Sequence, residues 1–236
     1  MKIIDVHPLT IETAKFATIQ ATLSNGIVLE NSGIVENIAV CAGVDVAYWQ
    51  KNGVEYGVCS IVVIDYKTKK VIEKVSSFGK ITVPYLPGYL GFRELPLVVK
   101  AAQKITKIPD LFIFDGNGYL HPRHMGIATH ASFFLNTPTI GVAKSYFKVQ
   151  GADFIMPGNK AGSYENIIVK HKVYGRVLRS HTDVKPIFIS PGNYIDLQTA
   201  TGIILHLINE ESRLPIPVRL ADLETRRSRR EFLLDN

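Results

Sequence analysis

The stretch Ile38-Ala39-Val40-Cys41-Ala42-Gly43-Val44-Asp45-Val46-Ala47-Tyr48-Trp49 is rich in β-branched and aromatic residues. It runs through Lys51-Asn52-Gly53 into Val54 to Tyr66, which has the same character. Asn-Gly between two such runs is a hairpin signal. Lys67 to Lys70 form a second polar turn, and Val71 to Val83 read as a third strand interrupted at Gly79. Connections this short place the three strands antiparallel and side by side.

Beyond them the period changes. Leu95, Val98, Val99, Ala102 and Ile105 fall on one face of a helix starting near Phe92. Leu111-Phe112-Ile113-Phe114-Asp115 follows as a strand, and Ile127, Ala131, Phe134 and Leu135 mark another helix. Thr139 to Ala143 is a short strand, and residues 167–190 hold two more strand-like runs. A last clear helix carries Ala200, Ile203, Ile204, Leu207 and Ile208, with Asp196 as its N-cap. Residues 10–23 read as a helix of weak periodicity. Three antiparallel strands, then alternating helices and parallel strands, make an α/β mixed sheet flanked by helices. That is the ribonuclease H-like order, and with no repeat or linker residues 1–236 read as a single domain.

Composition narrows the function classes. Nearly half of the 236 residues are hydrophobic, which fits a packed core and excludes a disordered chain. No apolar run approaches the roughly 18 residues of a membrane span, and the Met1–Pro8 start does not read as a signal peptide. Cys41 and Cys59 each lie inside apolar strands, so buried free thiols in a cytoplasmic protein are expected, and no zinc spacing exists. Net charge is +6, which favours polyanionic partners. Arg226, Arg227, Arg229 and Arg230 form one basic cluster, read as a solvated tail, with phosphate contact as the alternative.

Three acids stand out. Asp45 is in mid-strand, on the face of Gly43 and Ala47, small neighbours that leave room for a ligand. A carboxylate there is costly unless paired or metal-bound. Asp115 ends an apolar strand and opens Gly116-Asn117-Gly118-Tyr119-Leu120-His121-Pro122-Arg123, where glycines permit close approach of backbone and ligand. An ordinary strand-to-loop turn is the competing reading. Glu94 falls in the first turn of its helix, where an acid also complements the helix dipole. In a ribonuclease H-like sheet these three positions converge, and three oxygen donors suit magnesium or manganese.

Six segments then carry a resemblance: Ala42–Tyr48, Pro84–Pro96, Asp115–His130, Pro138–Lys144, Lys185–Asn193 and Arg213–Asp222. Pro-Tyr-Leu-Pro-Gly, Phe-Arg-Glu, Asp-Gly-x-Gly-x-x-His-Pro-Arg and Ile-Gly-Val-Ala-Lys together resemble endonuclease V, the deoxyinosine-directed repair nucleases. Asn117, where His is common, and the loop Gly151–Tyr164 depart from the pattern. The resemblance implies Asp45 and Asp115 as ligands of Mg2+, with Mn2+ as substitute. It implies Glu94 acting on the metal or its water, Lys144 near the scissile phosphate, and Asp222 supporting the metal's water shell. An N-cap role is the alternative for Asp222. His121 and His130 match histidines placed behind the metal ligands. Tyr85 matches a wedge that fills the gap left by an extruded base, and Gly88 and Gly91 let the loop backbone reach that base.

The implied activity is a deoxyribonuclease that cuts the second phosphodiester bond 3′ to deoxyinosine, leaving 3′-hydroxyl and 5′-phosphate ends. Its partner is DNA containing deoxyinosine, and the protein is expected to be a monomer. Inosine-containing RNA is the rival substrate. A non-catalytic nucleic-acid-binding protein on the same fold is the rival class, against which all three acids are present.

Overall fold

The computed structural model describes residues 1–235. Its centre is the long hairpin of β1 (Val40–Lys51) and β2 (Val54–Asp65), in register from Val40–Asp65 to Lys51–Val54. Asn52 and Gly53 at its tip both take positive φ, 50° and 74°, as the tight turn requires. β3 (Val71–Lys80) pairs antiparallel with β2 and continues through Gly79, which lies opposite Gly57, so the expected interruption is absent. On the other side β4 (Leu111–Asp115) and β5 (Thr139–Ala143) add parallel to β1.

The far side differs from expectation. Residues 164–193 hold three strands, β6 (Tyr164–Val169), β7 (Lys172–Leu178) and β8 (Ile187–Asn193). All three run antiparallel to their neighbours, giving the order β3-β2-β1-β4-β5-β8-β7-β6. Only β1–β4 and β4–β5 are parallel pairs, so the sheet is more antiparallel than the sequence suggests.

Helices cover both faces. After a 3-10 turn at Thr13–Lys15 comes α1 (Phe16–Ser24), somewhat later than expected. α2 (Leu90–Ala102) and α3 (Ile127–Leu135) bury Leu95, Val98, Ala131 and Phe134 against Val44, Phe112 and Phe114. α4 (Leu197–His206) is capped by Asp196, whose side chain accepts from the Thr199 N–H at 2.7 Å. The opposite face packs Ile113, Ile140 and Val142 against Ile203, Val218 and Ala221. The last two come from α5 (Ile216–Asp235), a 20-residue helix where the sequence allowed only a short final helix capped by Asp222. It crosses β1 so closely that a Cβ on Gly43 would sit 2.1 Å from the Pro217 carbonyl. The room expected beside Asp45 at Gly43 is therefore filled by α5. Cys41 and Cys59 are buried free thiols, and burial pushes the Cys41 thiol up to about 12. No helix among the described residues is long and apolar enough to cross a membrane.

Candidate active site

Asp45 and Asp115 stand one residue beyond the parallel pair Val44–Phe114, on adjacent central strands. β4 ends at Asp115, so its carboxylate opens at the carboxyl end of the strands, where open α/β sheets place ligands. Lys144 follows β5 directly and reaches back, its Nζ 2.5 Å from Asp115 Oδ2 and 3.6 Å from Asp222 Oδ1. Asp222 lies inside α5 with Arg219 and Arg226 on its carboxylate at 3.3 and 3.0 Å, which rules out the N-cap reading. Thr225, one turn along α5, donates its hydroxyl to Asp45 Oδ2 at 2.8 Å.

The electrostatics follow from burial and crowding. Burial, then repulsion from Asp115, pushes Asp45 up to about 6, against the opposing Thr225 bond and Lys144 charge. Burial opposes the Lys144 charge, but Asp115 outweighs it and holds the ammonium pKa above its ordinary value. Glu94 is the fifth residue of α2, past the first turn, so the dipole explanation for it fails. Its Oε1 accepts the Tyr48 hydroxyl at 2.5 Å. Burial raises its pKa to about 8; the Tyr48 bond lowers it, and the charges of Asp45 and Asp115 raise it further. Those charges act through space, because no hydrogen bond or ion pair among the described residues joins Glu94 to either aspartate.

A cleft that reaches the Asp115 loop at Asn117 is lined by Tyr85, Gly88, Gly91, Asn117, His121 and Phe147, among others. Tyr85, Gly88 and Gly91, the residues expected at the base, are in its wall together with His121. Tyr85 is 66% exposed at the rim. Gly88, at φ +80°, occupies a conformation that disfavours other residues. Its carbonyl accepts from His121 Nε2 at 3.0 Å, an Arg123 NH2 at 2.9 Å and Gln20 Nε2 at 3.1 Å. That carbonyl is thus a structural anchor and is not free to read a base. His121 accepts the Arg123 and Met125 N–H groups on Nδ1, both at 3.2 Å, which leaves Nε2 as the protonated nitrogen. Burial and the neighbouring Arg123 depress it to about 4, so it is a neutral imidazole with both nitrogens engaged.

His130 sits apart. It is buried between α2 and the N-terminal segment, 2.8 Å from His7 Nε2, and a Cβ on Gly91 would fall 2.5 Å from its Nδ1. Gly91 therefore admits His130 behind the cleft. Gln20, Tyr48, Phe147, Arg219 and Thr225 were given no role from the sequence. Arg123, in the Asp115–Arg123 run, carried a local signal.

The sequence profile of the endonuclease V family matches residues 21–223. The chain belongs to the endonuclease V family. It is a nuclease that hydrolyses phosphodiester bonds in DNA. Endonuclease V of Bacillus thuringiensis subsp. konkukian is 60% identical over 219 residues, 93% of each chain. The crystal structure of the Bacillus subtilis endonuclease V superposes with a TM-score of 0.96 at 54% identity, covering 100% of both chains. A Ciona intestinalis endonuclease V, in complex with DNA containing an inosine followed by a ribo-adenosine, is 26% identical. It covers 93% of this chain and 98% of its own, with a TM-score of 0.80.

The donor set can be tested for a metal. Among the described residues no three Asp, Glu, His or Cys side chains already form a ligand cage. Magnesium needs none, since it is commonly bound by one or two carboxylates plus waters and substrate phosphate. The neighbouring carboxylates Asp45 and Asp115, with a lysine ammonium already drawn to Asp115, fit a hard cation. Cys41 and Cys59 are buried thiols and His121 has both ring nitrogens engaged, so the preferred sulfur and nitrogen ligation of zinc is not supplied by them.

Proposed function

We propose that this endonuclease V acts on deoxyinosine in DNA, with Asp45 and Asp115 holding a Mg2+ or Mn2+ ion. The observation that carries this reading is the cleft, where Tyr85, Gly88, Gly91 and His121 meet two residues along the chain from Asp115. Such an ion, when bound, supplies Lewis acidity toward the phosphate and a water made nucleophilic at neutral pH.

The chain's own residues do the rest. Three donors pin the Gly88 carbonyl and fix the loop before substrate arrives, so no ordering is required on binding. Tyr85, exposed between Pro84 and Pro87, stacks in the gap left by the extruded base. Neutral His121 holds the loop to the strand end that carries Asp115. The Lys144 ammonium, displaced from Asp115, offsets negative charge building on the phosphate. Glu94, whose pKa burial raises to about 8, would lose that proton when a cation binds nearby and then act on the metal or its water.

By family resemblance the cut falls at the second phosphodiester bond 3′ to the lesion, leaving 3′-hydroxyl and 5′-phosphate ends. The Ciona complex, with a ribo-adenosine after its inosine, favours a second reading in which inosine RNA is also cut. The test is cleavage of matched duplexes carrying deoxyinosine, deoxyuridine or an abasic site, alongside inosine RNA, with and without magnesium. Cleavage confined to the deoxyinosine duplex supports the first reading. Equal cutting of every duplex overturns it.

A further inference from the structure

The basic cluster near the C-terminus is not one feature. Arg227 pairs with Glu224 and Glu231 on its own helix. Arg229 donates to the Tyr48 carbonyl at 3.4 Å. Arg226 instead turns to Asp222, at 3.0 Å, and meets there Arg219 at 3.3 Å and Lys144 at 3.6 Å. One carboxylate, 11% exposed, thus gathers three cations whose own side chains are 37–56% exposed.

A single carboxylate cannot balance three charges. Lys144 is shared with Asp115, which leaves the group with surplus positive charge at the edge of the Asp45–Asp115 pair. Each guanidinium has five donors, so contact with Asp222 leaves N–H groups for another oxygen anion. Arg219 and Arg226 are two helical turns apart, about 10 Å along α5 at 1.5 Å per residue. Their charged ends nonetheless converge on the same Asp222 oxygen, at 3.3 and 3.0 Å, so they lie within about 6 Å of each other and suit neighbouring phosphates of one backbone.

We infer that Asp222 anchors a phosphate clamp, holding Arg219 and Arg226 beside Lys144 to take backbone phosphates flanking the bond that is cut. The inference rests on the reading that the cut occurs at Asp45 and Asp115. In the clamp Asp222 is a positioning residue that fixes the two arms, beside the water-shell role that the family resemblance implies for it. The clamp reads charge and spacing, so it serves lesion and normal DNA alike.

The test is binding of the full chain to inosine and normal duplexes in chelator, between 50 and 200 mM salt, by fluorescence anisotropy. Arg219→Gln and Arg226→Gln should each flatten the plot of log affinity against log salt by about 0.9. They should weaken binding to both duplexes equally, while Arg226→Lys keeps the slope and Arg227→Gln changes nothing. Asp222→Asn adds net positive charge, so a mere field effect would tighten binding; loss of the anchor weakens it. Unchanged slopes in both glutamine variants, or tighter binding by Asp222→Asn, would overturn the clamp. If the wild type shows no inosine preference, the lesion reading fails, and the slopes still decide the clamp.

Discussion

Glu94→Gln should stabilise the metal-free protein, and the gain should grow with pH. Glu94 is raised from 4.5 to about 8, first because burial penalises its charge. In the unfolded chain it ionises near 4.5, while in the folded chain it keeps its proton until about pH 8. The folded state therefore binds more protons across that window, and stability falls as pH rises through it. Between pH 4.5 and 7 the loss is about 2.5 pH units at about 1.36 kcal/mol each, or about 3 kcal/mol. Glutamine has the same shape and can still accept the Tyr48 hydroxyl, but has no charge to bury. The melting temperature of the variant should match wild type near pH 4.5 and exceed it by about 6–12 °C at pH 7. Thermal and urea unfolding in chelator at pH 5, 6, 7 and 8 measure this directly. A gap that stays constant with pH, or a less stable variant at pH 8, would refute the buried-acid argument.

The remaining predictions concern activity. Asp45→Asn or Asp115→Asn should abolish nicking of a deoxyinosine duplex while binding persists, because the cleft is left intact; full cleavage by Asp115→Asn in magnesium would sink the assignment. Tyr85→Ala should cost about 5- to 150-fold in preference for lesion DNA, the equivalent of about 1–3 kcal/mol of stacking. Since Tyr85 is 66% exposed, its melting temperature should barely move. After exhaustive chelation nicking should stop and return with magnesium or manganese; return with zinc alone would contradict the oxygen donor set.

What the sequence disclosed, and what it hid, has a physical pattern. The β1–β2 hairpin, α2, α3 and the Asp196 cap were legible because each advertises itself locally, by alternation, helical spacing or turn chemistry. α5 was hidden because its buried side is Val218, Ala221, Asp222, Thr225 and Ser228, where small and polar side chains replace an apolar stripe. Its inward positions serve the site and Gly43 as much as the core, so hydrophobic periodicity is weak. β6 escaped for a related reason: Tyr164, Glu165, Asn166 and Ile168 are exposed, and only Ile167 and Val169 pack inward. The acids were legible as a set, yet their partners were not. Thr225 on Asp45 and Tyr48 on Glu94 join positions 180 and 46 residues apart, pairings that no local pattern announces.

Those unannounced partners explain why the proposed site would favour a cation. Asp45 lies in the central strand, and α5 is packed on Gly43 too tightly for water to solvate the carboxylate freely. Its neighbour Asp115 adds like charge, so the pair is under electrostatic load that one threonine and one shared lysine relieve only in part. Glu94 carries the same load and answers it by holding a proton. Each of these choices opposes the stability of the metal-free fold, as expected where function overrides local consistency. A divalent ion relieves all three at once, since its charge favours ionisation of every carboxylate around it. Lys144 lies on Asp115 within reach of Asp222, and a cation taking its place on Asp115 would leave the ammonium to Asp222 and the phosphate.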